Sequence, residues 1–299
     1  MFNGIINVYK EPGYTSFDVV ARLRGILHQK KIGHTGTLDP DAEGVLPVVL
    51  GNATKLVDAL TDKTKTYECL MQLGVETDTE DMSGTILSEH EVTCSEDEIR
   101  SAVLSFKGPY AQVPPMYSAL KKDGKKLYEL AREGVVIDRP PRNVEIFSIC
   151  IDEINGSEVL MTVDCSRGTY IRSLCRDIGE KLGCKAAMKH LTRTKSGNYK
   201  IGDALKLSEI ESAAKAGEVE KVIIPTEDFF MDLSLIRTGE FADRLLENGN
   251  PLTASDLSLC SDEITDGLRV RVHDSGDRFY AVYFYKASRG AFMPEKMFI

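Results

Sequence analysis

Two prolines and three glycines crowd the fifteen residues GHTGTLDPDAEGVLP, from Gly33 to Pro47. Proline removes a backbone donor and glycine costs backbone entropy, so neither suits the interior of a helix or a central strand. The stretch predicts a loop, set between a helix-like segment before it and apolar Val45 to Leu50 after it. It also holds a histidine and several carboxylates, and loops with rigid flanks are where accessible functional groups collect. Asp39 lies at its centre.

Two simple readings of this loop fail. Asp39, Asp41, Glu43 and Gly44 follow the first half of a calcium-binding EF-hand loop, but the twelfth position, which must supply a bidentate Glu, is Leu50. Pro40 and Pro47 further stiffen a segment that would have to wrap an ion. Gly33 and Gly36 lack the Gly-Lys-Ser/Thr ending of a phosphate cradle. Paired carboxylates also raise a glycoside-hydrolase reading, yet near neighbours in one loop rarely face a substrate from opposite sides.

The surrounding pattern alternates strands and helices. Ile5 to Tyr9 reads as a strand, and Pro12-Gly13 as a turn. Thr15 or Ser16 then caps a helix with Val19, Val20, Leu23, Ile26 and Leu27 on one face. Ala53 to Leu60 predicts a short helix. Tyr67 to Val75 has the period of a half-buried strand, with Tyr67, Cys69, Met71 and Leu73 on one side. Ser95 and Glu98 form a capping box for a helix through Phe106. Val144 to Ile154 and Val159 to Cys165 are strands joined near Asn155-Gly156, a hairpin signal. The helix that follows repeats apolar residues at Ile171, Leu174, Cys175, Ile178 and Leu182, and carries Tyr170 and Arg172 in its first turn. A cation there opposes the helix dipole, so an anion is expected to compensate it. Residues 186–200 contain Arg193 and end in a turn and a short strand, and Ser208 to Lys215 is a further helix. After Phe229-Phe230 the tail predicts strands at Leu268 to His273 and Phe279 to Tyr285, a small β-rich module. Hairpin-connected strands with interspersed helices favour an α+β architecture over a doubly wound parallel sheet.

Charge distribution says more than the net −9. Residues 203–299 carry 11 basic and 18 acidic side chains, while residues 107–200 carry 17 basic and 11 acidic. Within the latter, residues 107–142 hold five prolines and the run KKDGKK at 121–126. They form either a solvated loop and helix or a mobile arm that lies on a nucleic-acid backbone. No apolar run approaches the ~20 residues of a membrane span and the N-terminus lacks a signal-peptide pattern, so a cytoplasmic protein is expected. Seven scattered cysteines without a C-x-x-C pair support neither zinc binding nor a disulfide framework, and each is expected to be a buried thiol.

The Gly33 to Pro47 stretch resembles the signature loop of the tRNA pseudouridine-55 synthases, the TruB/dyskerin family. In the same order follow GNATK at 51–55, KTY at 65–67, GVETDTEDMSG at 74–84, CSRGTYIRSLCRDIGEKLG at 165–183 and HLTRTKSGNY at 190–199. The resemblance covers about residues 3–200. It implies a pseudouridine synthase fold, with a mixed, largely antiparallel sheet and flanking helices. The catalytic domain would span residues 1–230 with the basic arm inserted at about 107–142. Residues 231–299 would form a small C-terminal domain, in the place of the family's usual PUA module but acidic.

The implied activity is isomerisation of one T-arm uridine of tRNA, without metal or cofactor, by a monomer that needs no protein partner. Asp39 would be the catalytic carboxylate. Its step is open at this point: attack on C1′, addition to uracil C6, or removal of a C2′ proton. A uridine inside a folded loop has to be extruded onto an aromatic face, a role that suits Tyr67, with Tyr170 on the other side or touching Asp39. Closure under a base would favour protonated Asp39, and Arg172 is the cation that would oppose this. His34 would lie near the flipped base or displaced RNA and Leu191 would wall the pocket, while Lys55 and Arg193 would touch phosphate or the surroundings of Asp39. Two rival classes are an RNA-binding protein that assists tRNA folding and a carboxylate-dependent hydrolase.

Overall fold

The computed structural model describes residues 1–122, 124–257 and 264–299. Strand β1 (Gly4–Lys10) turns into helix α1 (Ser16–Leu27), whose N-cap is Thr15. The Thr15 hydroxyl accepts from the Asp18 amide, and the Asp18 carboxylate accepts from the Thr15 amide. Next come β2 (Ile32–His34) and β3 (Glu43–Leu50), a 3₁₀ turn over Gly51–Leu56, and α2 (Val57–Thr61). The loop expected across residues 33–47 is therefore shorter, residues 35–42, because β3 absorbs both Gly44 and Pro47. Pro47 is tolerated where β3 passes from its pairing with β2 to its far end, and Thr35 donates its amide to the Pro47 carbonyl at 3.1 Å.

Strand β4 (Lys65–Leu73) buries Tyr67, Cys69, Met71 and Leu73, as the alternation predicts, and stops at Gly74, whose φ is +85°. A hairpin of β5 (Val75–Thr77) and β6 (Ile86–Glu89) encloses the polar TDTEDMSG turn. Helix α3 (Glu96–Leu104) begins on the Ser95–Glu98 capping box.

The proline-rich basic segment holds more regular structure than its composition suggests. It contains β7 (Gly108–Gln112), a two-residue ladder between β8 (Lys121–Lys122) and β9 (Lys125–Lys126), and α4 (Leu127–Arg132). Pro109 fits in β7 because that strand is the sheet edge, paired only with β10 (Arg142–Asn155). Strand β11 (Glu158–Cys165) completes the expected hairpin, and α5 (Ile171–Leu182) ends on left-handed Gly183. Then follow β12 (Ala186–Ser196), β13 (Tyr199–Lys200) and α6 (Leu207–Lys215). The length of β12 was hidden by two irregularities in its pairing with β4, at Met188/His190 and Arg193/Lys195, which break the period of two. The tail comprises β14 (Ser234–Arg237), α7 (Glu240–Glu247), β15 (Arg269–His273), β16 (Phe279–Lys286) and β17 (Ala291–Met297).

Among the described residues the main sheet has nine strands, in the order β1-β3-β12-β4-β11-β10-β7, with β2 paired to β3 and β13 to β12 off this path. Among the described strands of this sheet only the β3–β12 pairing is parallel, and it spans just Thr192↔Glu43 and Arg193↔Gly44. The architecture is α+β, mixed and largely antiparallel, as expected. One core sets α3 and α5 against β4, β10, β11 and β12; another sets α1 and α6 against β1 and β3. A separate four-stranded sheet, β14-β15-β16-β17, forms the C-terminal module. It meets the main sheet through Phe230, Val282 and Phe298, packed on Ile5, Val49, Ala53, Leu56 and Leu60. Among the described residues no helix is long and apolar enough to cross a membrane. Cys69, Cys165, Cys175 and Cys184 are buried and Cys94 partly so, but Cys150 is exposed on the outer face of β10; Cys260 lies outside the described residues.

Candidate active site

The loop over residues 35–42 is held from beneath by Lys10, the last residue of β1. Its fully buried ammonium donates to the carbonyls of Glu11 (3.2 Å), Pro40 (2.8 Å) and Ala42 (2.5 Å). Burial pushes this lysine down to about 8, opposed by the charges of Asp39 and Asp41. Buried Leu38 and Ala42 anchor the loop on the core, and the Ser16 hydroxyl accepts from the Leu38 amide at 2.9 Å. Between these anchors the Asp39 side chain remains 37% exposed.

Arg172 reaches Asp39 from the first turn of α5. Its Nη2 donates to Asp39 Oδ1 at 3.1 Å, and Nε makes a close charge contact with Oδ2 at 2.9 Å. The guanidinium is itself fixed. Nη1 donates to the Thr79 carbonyl and Nη2 to the Tyr117 carbonyl, each at 2.8 Å, and Asp81 Oδ2 lies 3.6 Å from Nε. Only 5% of this side chain is exposed, so the cation is buried while the carboxylate it orients is open. Two carboxylates thus supply the anion expected to compensate a cation at a helix start.

The start of α5 has no side-chain cap of its own. Gln112, at the end of β7, takes that place: its Oε1 accepts from the Tyr170 amide at 2.8 Å and its Nε2 donates to the Tyr170 carbonyl at 2.9 Å. Tyr170 is the N-cap residue and is partly buried. Burial raises its pKa, and the Asp39 carboxylate adds to that effect.

Tyr67 enters from β4, 9% exposed, in one apolar cluster with Leu38, Ala42 and Leu191. Burial raises its phenol pKa, the Arg193 charge opposes this, and Asp39 again contributes upward. Arg193 faces Tyr67 in the β12–β4 register and Gly44 in the β12–β3 register. It is 1% exposed and donates through Nε to the Val45 carbonyl (2.7 Å) and through Nη2 to the Gly36 carbonyl (3.2 Å). It therefore spans both ends of the Asp39 loop. Gly44 is required at this crossing, since a Cβ there would lie 2.3 Å from the Arg193 carbonyl oxygen and its φ is +103°.

His34 ends β2 half-buried, with Nδ1 unpartnered; burial and the Arg193 charge lower its pKa. Lys55 lies elsewhere, exposed on the 3₁₀ turn and donating to the Met297 carbonyl at 2.7 Å. The structure thus gathers Asp39, Arg172, Tyr67, Tyr170, Leu191, Arg193 and His34, and leaves Lys55 against the C-terminal strand. The Glu43 carboxylate is engaged by Tyr9 (2.7 Å) and His190 (3.0 Å), so it does not pair with Asp39. Sequence reading missed Lys10, Gln112, Tyr117 and Asp81 as site residues. Asp81 stands within GVETDTEDMSG and Gln112 within the proline-rich segment, but Lys10 looked like an ordinary strand end.

The arrangement offers an ionisable carboxylate fixed by a buried guanidinium, beside a tyrosine ring and an apolar wall. Such a set suits nucleophilic or basic attack on a flat polar group. Residues 24–171 match the TruB family pseudouridylate synthase (N terminal domain), and residues 172–231 match the tRNA pseudouridylate synthase B C-terminal domain. The chain is 50% identical to a tRNA pseudouridine synthase B of Lachnoclostridium phytofermentans, over 99% of this chain and 100% of the relative. It is 44% identical to the protein of that name from Clostridium acetobutylicum, over 93% of each. Its fold is similar to a chain in a structure of an H/ACA RNP bound to a substrate RNA containing 2′-deoxyuridine, with a TM-score of 0.70 and 28% identity over 99% of this chain and 85% of that one.

Proposed function

Because the chain belongs to the TruB family of pseudouridylate synthases, we propose that it converts uridine 55 in the T-loop of tRNA to pseudouridine, with Asp39 as the essential carboxylate. The reaction exchanges one bond at ribose C1′. The N1–C1′ bond breaks, the uracil turns, C5 joins C1′ and loses its proton, and N1 gains one. A carboxylate can begin this by attack on C1′, by addition to C6, or by taking the C2′ proton, and each route requires the ionised form.

The observation that carries this reading is the pairing of an open Asp39 with a buried Arg172, at 2.9 and 3.1 Å. A guanidinium held by two carbonyls cannot follow solvent, so the positive charge beside Asp39 persists when a base covers it. Uridine has to leave the T-loop stack to reach Asp39, and Tyr67 provides the receiving face, with Leu191 as a wall and Tyr170 opposite. His34 and Arg193 border the same loop. Lys121, Lys122, Lys125 and Lys126 form a basic hairpin that suits the T-arm backbone.

The test is an unmodified tRNA transcript carrying tritium at uracil C5, since C5 loses its hydrogen as the new bond forms. Release from one T-loop uridine is expected without added metal, and Asp39→Asn should abolish it while binding tRNA within a few-fold of the parent. Full release by Asp39→Asn would overturn the assignment.

A further inference from the structure

We propose that Glu80 is a positioning residue that sets Arg172, and through it Asp39; this inference rests on the assignment of Asp39 above. Glu80 lies between Thr79 and Asp81, the two residues of its turn that contact the Arg172 guanidinium. Its own φ is +65°, a left-handed conformation uncommon for a residue with a side chain. This backbone turn brings the Thr79 carbonyl and the Asp81 carboxylate toward one guanidinium from adjacent positions.

The hold comes from α5, the helix that bears Arg172. The Ser173 hydroxyl donates to Glu80 Oε2 at 2.6 Å, and Arg176 Nη1 donates to Glu80 Oε1. The Glu80 carboxylate is 11% exposed. Main-chain bonds pin the same turn to β12: the Met188 amide donates to the Glu80 carbonyl (3.0 Å), and the Met82 amide to the Met188 carbonyl (2.9 Å). The side chain of Glu80 is therefore the tie between the turn that grips Arg172 and the helix from which Arg172 projects. Arg176 has a second carboxylate, Asp177 Oδ1 at 2.7 Å, so loss of Glu80 still leaves it paired.

The experiment compares Glu80→Ala, Glu80→Gln and Glu80→Gly with Asp39→Asn by single-turnover tritium release, tRNA affinity, thermal melting and added formate. A misplacement of a catalytic group by less than an ångström lowers rates by about 10- to 100-fold. Glu80→Ala and Glu80→Gly are expected to lose rate by this amount with tRNA affinity within about twofold of the parent, and Glu80→Gln, which keeps the Ser173 bond, to fall between. Formate, a carboxylate small enough for the vacated site, should restore part of the rate in the Ala and Gly variants. Full activity in Glu80→Gly would show that the position needs only its backbone angle and would overturn the proposal. A rate loss that tracks melting and ignores formate would overturn it too, as would a loss of affinity alone. Activity in Asp39→Asn would sink the reading beneath it, whereas inactive Asp39→Asn beside fully active Glu80→Ala would sink this inference alone.

Discussion

Arg172→Lys keeps the charge beside Asp39 and removes the fork, which makes it the sharpest single test of the site. The guanidinium serves the Thr79 and Tyr117 carbonyls at 2.8 Å and both oxygens of Asp39. An ammonium is a point donor and cannot meet acceptors set around a plane. If lysine follows the carboxylate, two charge-assisted carbonyl bonds disappear, each worth about 1.5–3 kcal/mol. Tyr117 is only partly buried, so its carbonyl regains some solvation, and a net cost of about 3 kcal/mol is expected. In a chain of this size that lowers Tm by roughly 5 °C. Asp39 would also exchange contact through both of its oxygens for contact with a single point donor, and a loss of about 2–3 kcal/mol in the transition state lowers the rate by about 100-fold. Single-turnover tritium release and thermal melting give both quantities. In an Asp39→Asn background the added lysine should change the residual rate no further, because the arginine acts through Asp39. A rate within threefold of the parent and an unchanged Tm would refute the fork argument.

Two further outcomes are expected. Lysine normally titrates near 10.4, but buried Lys10 does so at about 8, so between these values the unfolded chain holds a proton that the folded chain has released. Stability relative to Lys10→Met should rise with pH across that window, by up to about 3 kcal/mol in urea denaturation; a difference that stays flat would count against a strained, buried ammonium. Lys65, also near 8, is present in both proteins and cancels. Charge reversal at Lys121, Lys122, Lys125 and Lys126 should weaken tRNA binding and make its salt dependence shallower by about one for each phosphate the hairpin no longer neutralises, and an unchanged slope would return the hairpin to the solvent.

Strand β1, buried along nearly its whole length, was legible as a short apolar run, and β10 through the hairpin signal at Asn155-Gly156. Strands β4 and β11 were legible because one face is buried and the other is not, which writes an alternation into the residues. Helix α5 was legible for the same reason at its own period. Strand β12 was not, since its bulges exchange which side chains face inward. Nor was β7, where proline is admitted only because no neighbour lies beyond it. Within the site, Asp39, Tyr67 and Arg172 were found through short motifs whose resemblance is local. Lys10, Gln112 and Tyr117 act through main-chain bonds made across 30 or more positions, as with Lys10 to Pro40 or Gln112 to Tyr170, and no composition records such meetings.

The narrow parallel seam between β3 and β12 divides the main sheet into two parts, each built largely from antiparallel ladders. Asp39 belongs to one part, while Tyr67 and Arg172 belong to the other, and 133 positions of chain separate Asp39 from Arg172. Either part can acquire its strands without the site existing. The candidate site is complete only where the two meet, along Glu43 and Gly44 against Thr192 and Arg193, so its assembly carries the entropy of closing a long chain. Activity at this site would therefore report that both parts of the sheet are formed and joined.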